Sequence, residues 1–554
     1  MIKLLLNNCT SKRRVISIQT LYLFIIVMFL IMIVSLIIKI YEHFKLKKDI
    51  ETLWSSRERL ETKPEYYIHY HNYFVNIIEN EHTEDRNIVD DETWNDLDIG
   101  RLLEKMNYTF TTIGTENLYA ALRNAQEHNN IDEELLLKIK RDEEFRKDVS
   151  YRLAKLGRSG NSNTSKFMYE FMPVKKYNPL FILLSFMPII GVLLFFINPY
   201  ISLLLILGGF GLNAYFSHKH KGSTGLDYGD IFYAINIIVT AGNLNSRFNS
   251  KGLKRLSFIS PLFVNDDSAG EMNMAVQIFA AFKLMFLIDY HLYHAAHGTL
   301  NKNYDLYKAG WRYTADLDMH YSLAMWREML PYYTVPSAEN TPLKTEGLYH
   351  PLVSDAVDNE LNFTNDILLT GSNAAGKSTF MKALGVNVIT SNGLNTSTST
   401  VFNYTPGKVI SSMEITDSVI EGDSYFISEV KSLKRIVDEI EEFDGTVYCI
   451  IDEIFKGTNT IERLAAGESF LRYLHEQENV NLIAATHDME LTDLLDGELD
   501  FYHFSETLIE DDIEFDYKIK DGIATSSNAI ELLRLYGFPE AVYKKARIKV
   551  DENP

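Results

Sequence analysis

Cysteine is nearly missing: Cys9 and Cys449 are the only two in 554 residues. No disulfide framework beyond one bridge is possible, and Cys449 falls in an apolar run that reads as a buried strand. A reducing compartment fits best, with Cys449 as a small core residue. Positive charge is not in excess either. Against 75 Asp+Glu stand 54 Lys+Arg, a formal net of −21, which argues against a protein that coats nucleic acid through a globally basic surface. Repeats and low-complexity linkers are missing too. With 46% hydrophobic and 23% charged residues, a wholly disordered chain is excluded, and the length suits two to four domains. The acid is unevenly placed: residues 341–554 hold 17 Lys+Arg and 38 Asp+Glu, so the first 340 residues are neutral.

Two stretches lack charge altogether. Residues 16–38 are apolar up to Lys39, with Lys12, Arg13 and Arg14 before them. The run is long enough to span a bilayer and too long for a signal-peptide core, and no small-residue cleavage pattern follows, so it reads as an uncleaved anchor. Residues 179–216 form a second apolar region, interrupted by the turn signal Asn198-Pro199-Tyr200. Two spans on either side make a helical hairpin. Lys166, Lys175 and Lys176 flank it on one end and Lys219 and Lys221 on the other, placing both ends on the cytoplasmic side. A buried hairpin of a soluble protein is the alternative. Basic residues flank residues 16–38 at both ends, so charge bias does not fix the direction of that span. The expectation is a multi-pass membrane protein.

Residues 41–178 are polar and helical in pattern. Within them, Asp132–Leu156 reads as one amphipathic helix rich in i,i+4 charge pairs. Residues 225–340 are also helical. Met272–His297 is apolar but contains Lys283, Asp289 and His291, His294 and His297, marking a buried or amphipathic helix. The three histidines at i, i+3, i+6 admit a metal reading on one helix face, though packing is the default. From about residue 341 short β-rich runs alternate with helices: residues 366–370, 446–452 and 481–486. That is an α/β pattern.

The chemistry sits in that last region. Gly371-Ser372-Asn373-Ala374-Ala375-Gly376-Lys377-Ser378 fits G-x-x-x-x-G-K-[ST] at every fixed position, between an expected strand and a helix starting at Thr379. Glycines let backbone N–H groups approach phosphate oxygens, and the helix N-terminus adds positive potential. Lys377 is expected to bridge the β- and γ-phosphates of ATP and Ser378 to coordinate Mg²⁺. Asp452 and Glu453 end a second apolar strand. There Asp452 can hold the Mg²⁺ through water, and Glu453 can polarise the attacking water as general base. His487 ends a third strand, where a neutral imidazole can donate to the γ-phosphate or orient water. Together these residues predict ATP hydrolysis by positioning and electrostatics.

The same residues carry a resemblance. Residues 315–326 (ADLDMHYSLAMW) are similar to the "LD…SLA" helix that precedes the ATPase domain of the MutS mismatch-repair family. Tyr349-His350-Pro351-Leu352-Val353 resembles its R-H-P-hydrophobic segment. Its phosphate loop, its G-x-S-T-F-x-x-E segment (Glu421 to Glu429), its D-E-x-x-x-G-T-x-T loop (450–467) and its A-T-H-x-x-E-L stretch (485–494) follow in order. A closing strand and last helix (517–522, 536–540) complete about 240 residues. The resemblance implies an ABC-type P-loop ATPase that works as a homodimer with composite sites. Ser424 would then reach the γ-phosphate bound by the partner subunit, and Gly457-Thr458-Asn459-Thr460 would couple the two sites. DNA as a partner is implied by the resemblance alone.

The sequence also departs from the family. Ser372 replaces a proline, Ala374-Ala375 replace Met-Gly, and Phe455-Lys456 replace Gly-Arg before Gly457. Residues 391–408 diverge, so adenine contacts do not carry over. The mismatch-reading Phe-x-Glu wedge has no match near the N-terminus; the F-x-E sequences are Phe504-Ser505-Glu506 and Phe538-Pro539-Glu540. The basic cluster best placed for DNA phosphates is Arg247, Lys251, Lys254 and Arg255, which also reads as a solvated loop. The expected organisation is an anchor (1–40), a helical region (41–178), a transmembrane hairpin (179–216), a helical lever (225–340) and the α/β ATPase (341–554). Two functions compete: a membrane-anchored ATPase with a DNA role, and an ATP-driven switch acting on a membrane or protein partner.

Overall fold

The computed structural model describes residues 37–551 except 38–39, 42, 60–69, 82–86, 125–130, 160–162, 171–175, 196, 225–227, 251–252, 254–273, 339–341, 372–374, 414–424, 510–511 and 525–528. The anchor expected at 16–38 therefore lies almost wholly outside the described residues, as do Lys251, Lys254 and Arg255. Two compact units interleave along the chain. One gathers Met1–Asn76, Tyr108–Asn117 and Glu134–Ser322; the other gathers Ile77–Asn107, Leu118–Glu133 and Leu323–Pro554.

Among the described residues the first unit is helical throughout. The amphipathic helix expected over 132–156 is two helices, Glu133–Arg141 and Glu143–Leu156. Asp142 breaks it: its backbone is extended and its side chain accepts from Phe145 N at 3.0 Å, an N-cap that the charge pattern conceals. The helix expected over 272–297 likewise divides into Met274–Met285 and Ile288–Lys302, with Leu287 at φ +49 between them. A buried carboxylate organises the middle of the unit. Asp318 accepts from Phe110 N (2.9 Å), Thr111 N (2.8 Å) and Thr111 Oγ1 (2.6 Å), and burial pushes its pKa up to about 6. It thereby satisfies backbone donors at the start of the helix Thr112–Leu122. Gly114 is required beside it, since a Cβ there would lie 2.2 Å from Asp318 Oδ2.

The apolar region forms the expected hairpin, Leu180–Leu194 and Pro199–Thr224, with the turn at Asn198. Pro199–Lys219 is, among the described residues, the one helix long and apolar enough to cross a membrane, with a mean hydropathy of 1.5; Leu180–Leu194 is shorter. The two helices approach closely at Gly191, where a Cβ would lie 2.7 Å from Ile206. Pro188 sits inside the first helix and has no N–H to offer the carbonyl of Leu184. Asn213 of the second helix donates to that carbonyl instead (3.2 Å) and also to Met285 O (2.7 Å). Tyr177 OH and Ser185 Oγ bond the two ring nitrogens of His291 at 3.0 and 2.8 Å. That accounts for His291 without a metal, and no cluster of three or more metal-binding side chains occurs among the described residues.

The second unit is built on a six-stranded sheet. Its strands are β4 (Ile367–Thr370), β6 (Gly407–Ser412), β7 (Thr446–Asp452), β8 (Val480–Ala485), β9 (Asp500–His503) and β12 (Lys520–Asp521), in the order β12-β9-β4-β8-β7-β6. All neighbours are parallel except β12 on β9. β4 is buried at every position and β7 at its middle five, the near-continuous apolar pattern of a sheet covered on both faces. A smaller sheet orders β1 (Ser337–Ala338), β5 (Val401–Tyr404), β2 (Lys344–Leu348) and β3 (Asn359–Asn362), and β10 (Glu506–Ile509) pairs with β11 (Asp512–Phe515). Helices Lys377–Leu394, Tyr425–Glu442 and Thr460–His475 complete the α/β layering.

A segment from the polar N-terminal region joins this unit. Asp96 accepts from Ser411 Oγ (2.7 Å) and Met413 N (3.0 Å) at the end of β6. Arg435, on the helix Tyr425–Glu442, pairs with Asp90 (2.6 Å) and Glu92 (2.7 Å).

Candidate functional site

The site forms where three adjacent parallel strands end. β8 lies between β4 and β7, with Leu369 opposite Ala485 and Asp452 opposite Ala485. Whatever follows β4, β7 and β8 therefore converges on one edge of the sheet, where open α/β sheets place their ligands. After β4 comes the glycine loop, after β7 Glu453, and after β8 His487.

Both ends of the glycine loop have left-handed backbone. Gly371 has φ +116, and a Cβ there would lie 2.4 Å from the carbonyl oxygen of Phe504. Gly376 caps the following helix at φ +109. Only glycine adopts such angles without strain. Ala375 is fully buried, Thr379 is exposed, and Ser372, Asn373 and Ala374 lie outside the described residues. At the far end of the helix, Arg327 donates to Asn395 O (2.8 Å) and pairs with Glu133 at 2.7 Å. A cation at a helix C-terminus complements the helix dipole.

Lys377 is fully buried and its ammonium donates to Gly371 O. Burial pulls its pKa down to about 8, although Asp452, Glu453 and Glu506 act in the other direction. Those carboxylates offset only part of the cost of burying the cation. Ser378 Oγ donates to Asp452 Oδ2 at 2.5 Å. The other carboxylate oxygen of Asp452, Oδ1, is buried without a hydrogen-bond partner. A hydroxyl and a carboxylate held together with one orphaned oxygen fit Mg²⁺, a hard cation that takes few protein oxygens and shares the rest with phosphates and water.

Glu453 is engaged through both oxygens. His487 Nε2 lies 2.7 Å from Oε1 and Lys456 Nζ 3.0 Å from Oε2. Its backbone is left-handed, φ +63, and its N–H donates to Ala485 O at 3.0 Å. The turn carrying His487 is itself fixed, because Asp488 forms a two-pronged pair with Arg463 (2.7 and 2.6 Å).

Two participants were not assigned a role from the sequence. Glu429 is buried, and its two oxygens accept from Lys456 N (2.8 Å) and Gly457 N (3.2 Å). Lys456, which stands where the family has an arginine, is the ion-pair partner of Glu453. The clue to Glu429 is its fixed place in the G-x-S-T-F-x-x-E segment; nothing in pattern alone reveals its partners. Ser424, one residue before the helix Tyr425–Glu442, lies outside the described residues. Asn459 caps the helix Thr460–His475 by accepting from Glu462 N at 3.1 Å, which ends the Gly457–Thr460 segment. His350 is buried and held neutral, its pKa pulled down to about 4 chiefly by burial, and its Nδ1 accepts from Leu352 N at 3.2 Å.

A mainly parallel α/β domain with a glycine loop, a buried lysine and a carboxylate–histidine pair at its strand ends is thus the class of protein this unit defines. Residues 367–553 match the family model of MutS domain V. The chain is 30% identical over 246 residues to the DNA mismatch repair protein MutS of Natronomonas pharaonis, covering 42% of this chain and 28% of that protein. It is 29% identical over 230 residues to DNA mismatch repair protein MutS 2 of Halobacterium salinarum, covering 40% and 26%. To MutS of Lactococcus lactis subsp. cremoris it is 26% identical over 265 residues, covering 43% and 30%. The chain spans less than a third of the length of these relatives. The similarity to MutS proteins is confined to the C-terminal part of the chain.

Proposed function

We propose that this chain is a membrane-attached ATPase of MutS type that hydrolyses ATP with Mg²⁺ as a homodimer. The observation that carries the reading is the Ser378–Asp452 pair with its orphaned oxygen, set beside Lys377 and the Glu453–His487 pair. Lys377 takes the β- and γ-phosphates, and the loop backbone from Gly371 to Thr379 wraps them. Ser378 and Asp452 hold Mg²⁺, which when bound offsets charge on the phosphate oxygens. Glu453 accepts a proton from the attacking water. For that it must exchange one of its present partners, and His487 is the one that a γ-phosphate would draw away, since the imidazole can donate to either acceptor. Ser424 completes the site of the partner subunit. Glu453→Gln should bind ATP, hydrolyse it slowly and accumulate as a dimer; normal turnover would remove Glu453 from its role.

The relatives are named DNA mismatch repair proteins, and that name supports a DNA-directed use of the ATPase. The exposed apolar hairpin favours a second use, in which ATP-driven closure acts on a membrane or a membrane-borne partner. Arg247 is exposed and stacks on Phe248 and Tyr313 (4.6 and 5.2 Å). The two uses separate in one experiment: ATPase turnover of the full chain in nanodiscs with homoduplex or mismatched DNA, at low and moderate salt. No binding at low salt would eliminate the DNA-directed use.

A further inference from the structure

We infer that the hairpin is a wedge that enters one leaflet of the bilayer and turns back inside it, rather than crossing to the far side. This deepens, and rests on, the proposal that the hairpin meets lipid. Its occupant is the acyl-chain region of a bilayer. No Asp, Glu, Lys or Arg occurs between Lys176 and Lys219, and the most exposed residues crowd the turn: Ile197 and Tyr200 are 80% and 83% exposed.

The body of the helical unit reaches up the hairpin as far as Ser185, bonded to His291, and Asn213, bonded to Met285 O. The charged pair Lys283–Asp289 (2.8 Å) belongs to the same two helices of that body, and we place the edge of the hydrocarbon core at this level. From residue 186 to the turn at Ile197 is a dozen residues, roughly 18 Å at 1.5 Å per residue. The hydrocarbon core is about 30 Å thick, so the turn stops just past its midplane.

A loop emerging into water can leave backbone groups to solvent, whereas a turn inside lipid must satisfy them internally. Ile197 N and Asn198 N both donate to Leu194 O (3.0 and 2.9 Å). Asn198 Oδ1 accepts from Tyr200 N (3.0 Å) and Ile201 N (3.3 Å), and Pro199 has no N–H to satisfy. Further down, Asn213 satisfies the carbonyl that Pro188 releases. The hairpin thus satisfies these backbone groups from within at the two places where helix geometry fails, while Asn213 Oδ1 and Ser202 Oγ are buried without a hydrogen-bond partner.

The test uses the full chain carrying Cys9→Ser, with the buried Cys449 retained, and one added cysteine at Tyr200 or Lys219. Sealed membrane vesicles of both orientations are treated with a membrane-impermeant maleimide, with and without detergent. Lys219→Cys should label from one face, and Tyr200→Cys from neither face until detergent is added. Labelling of Tyr200→Cys from the face opposite Lys219 would overturn the wedge and leave membrane insertion standing. Labelling from the same face as Lys219 would place the turn in water and overturn both.

Discussion

Replacing Lys377 with methionine should stabilise the nucleotide-free protein while abolishing its response to ATP. The lysine is fully buried, and burial lowers its pKa from 10.5 to about 8. At about 1.4 kcal/mol per unit, holding the charge at pH 7 costs roughly 3 kcal/mol. Its hydrogen bond to Gly371 O returns about 1 kcal/mol, so the variant should gain about 2 kcal/mol. For a domain of this size that raises the unfolding temperature by roughly 5 °C. The sign follows from proton binding. The folded value lies below the unfolded one, so between pH 8 and 10.5 the unfolded chain binds more protons and wild-type stability rises with pH. The variant's advantage is full below pH 8 and disappears as pH approaches 10.5. Thermal unfolding of both proteins across that range, with and without MgATP, measures it. A variant less stable than wild type at pH 7, a stability gap that ignores pH, or a retained shift with MgATP would refute the reasoning.

Gly371→Ala should cost more than about 3 kcal/mol and abolish ATP binding, because the added methyl meets the Phe504 carbonyl at 2.4 Å in a backbone conformation closed to alanine; wild-type melting and affinity would contradict this. Glu429→Gln keeps the shape but sets an amide N–H₂ against one of two backbone N–H groups, costing about 1–3 kcal/mol. Since Glu429 positions the loop after Glu453 and does not bear on the glycine loop, turnover should fall with little change in ATP affinity, and an equal loss of both would show a merely structural role.

Much of the site was legible because its residues are local to strand ends. Gly371, Gly376, Lys377, Ser378, Asp452, Glu453 and His487 each follow a short apolar run, and parallel pairing of those runs brings them together. The hairpin was legible for a similar reason: Asn198-Pro199 punctuates an otherwise uncharged stretch. What escaped is long-range. Residues 77–107 read as part of a continuous helical region, yet they fold with the α/β sheet through Asp96 on Ser411 and Arg435 on Asp90. A buried carboxylate looks the same in sequence as a solvated one until its donors arrive from 300 residues away. The breaks at Asp142 and Leu287 were missed because hydrophobic periodicity runs through both, and cap geometry decides the boundary.

The departure at Phe455 takes on a different meaning in three dimensions. The family resemblance has a glycine there, and Phe455 adopts φ +55, a left-handed angle that suits glycine. Forcing a phenylalanine into it costs roughly 1–2 kcal/mol. The ring recovers this by packing between Phe426 and Phe470, each 6.4 Å away, at the edge of the core beneath the sheet. Phe426 also crowds Gly457, where a Cβ would lie 2.8 Å from it, and Glu429, one turn along, holds the N–H groups of Lys456 and Gly457. Losing the glycine therefore does not loosen the coupling loop. It exchanges backbone freedom for an aromatic anchor to the helix Tyr425–Glu442. The loop that follows Glu453 and the helix Tyr425–Glu442 become one mechanical piece, so under the proposed mechanism a displacement of Glu453 by nucleotide should move the start of that helix as well.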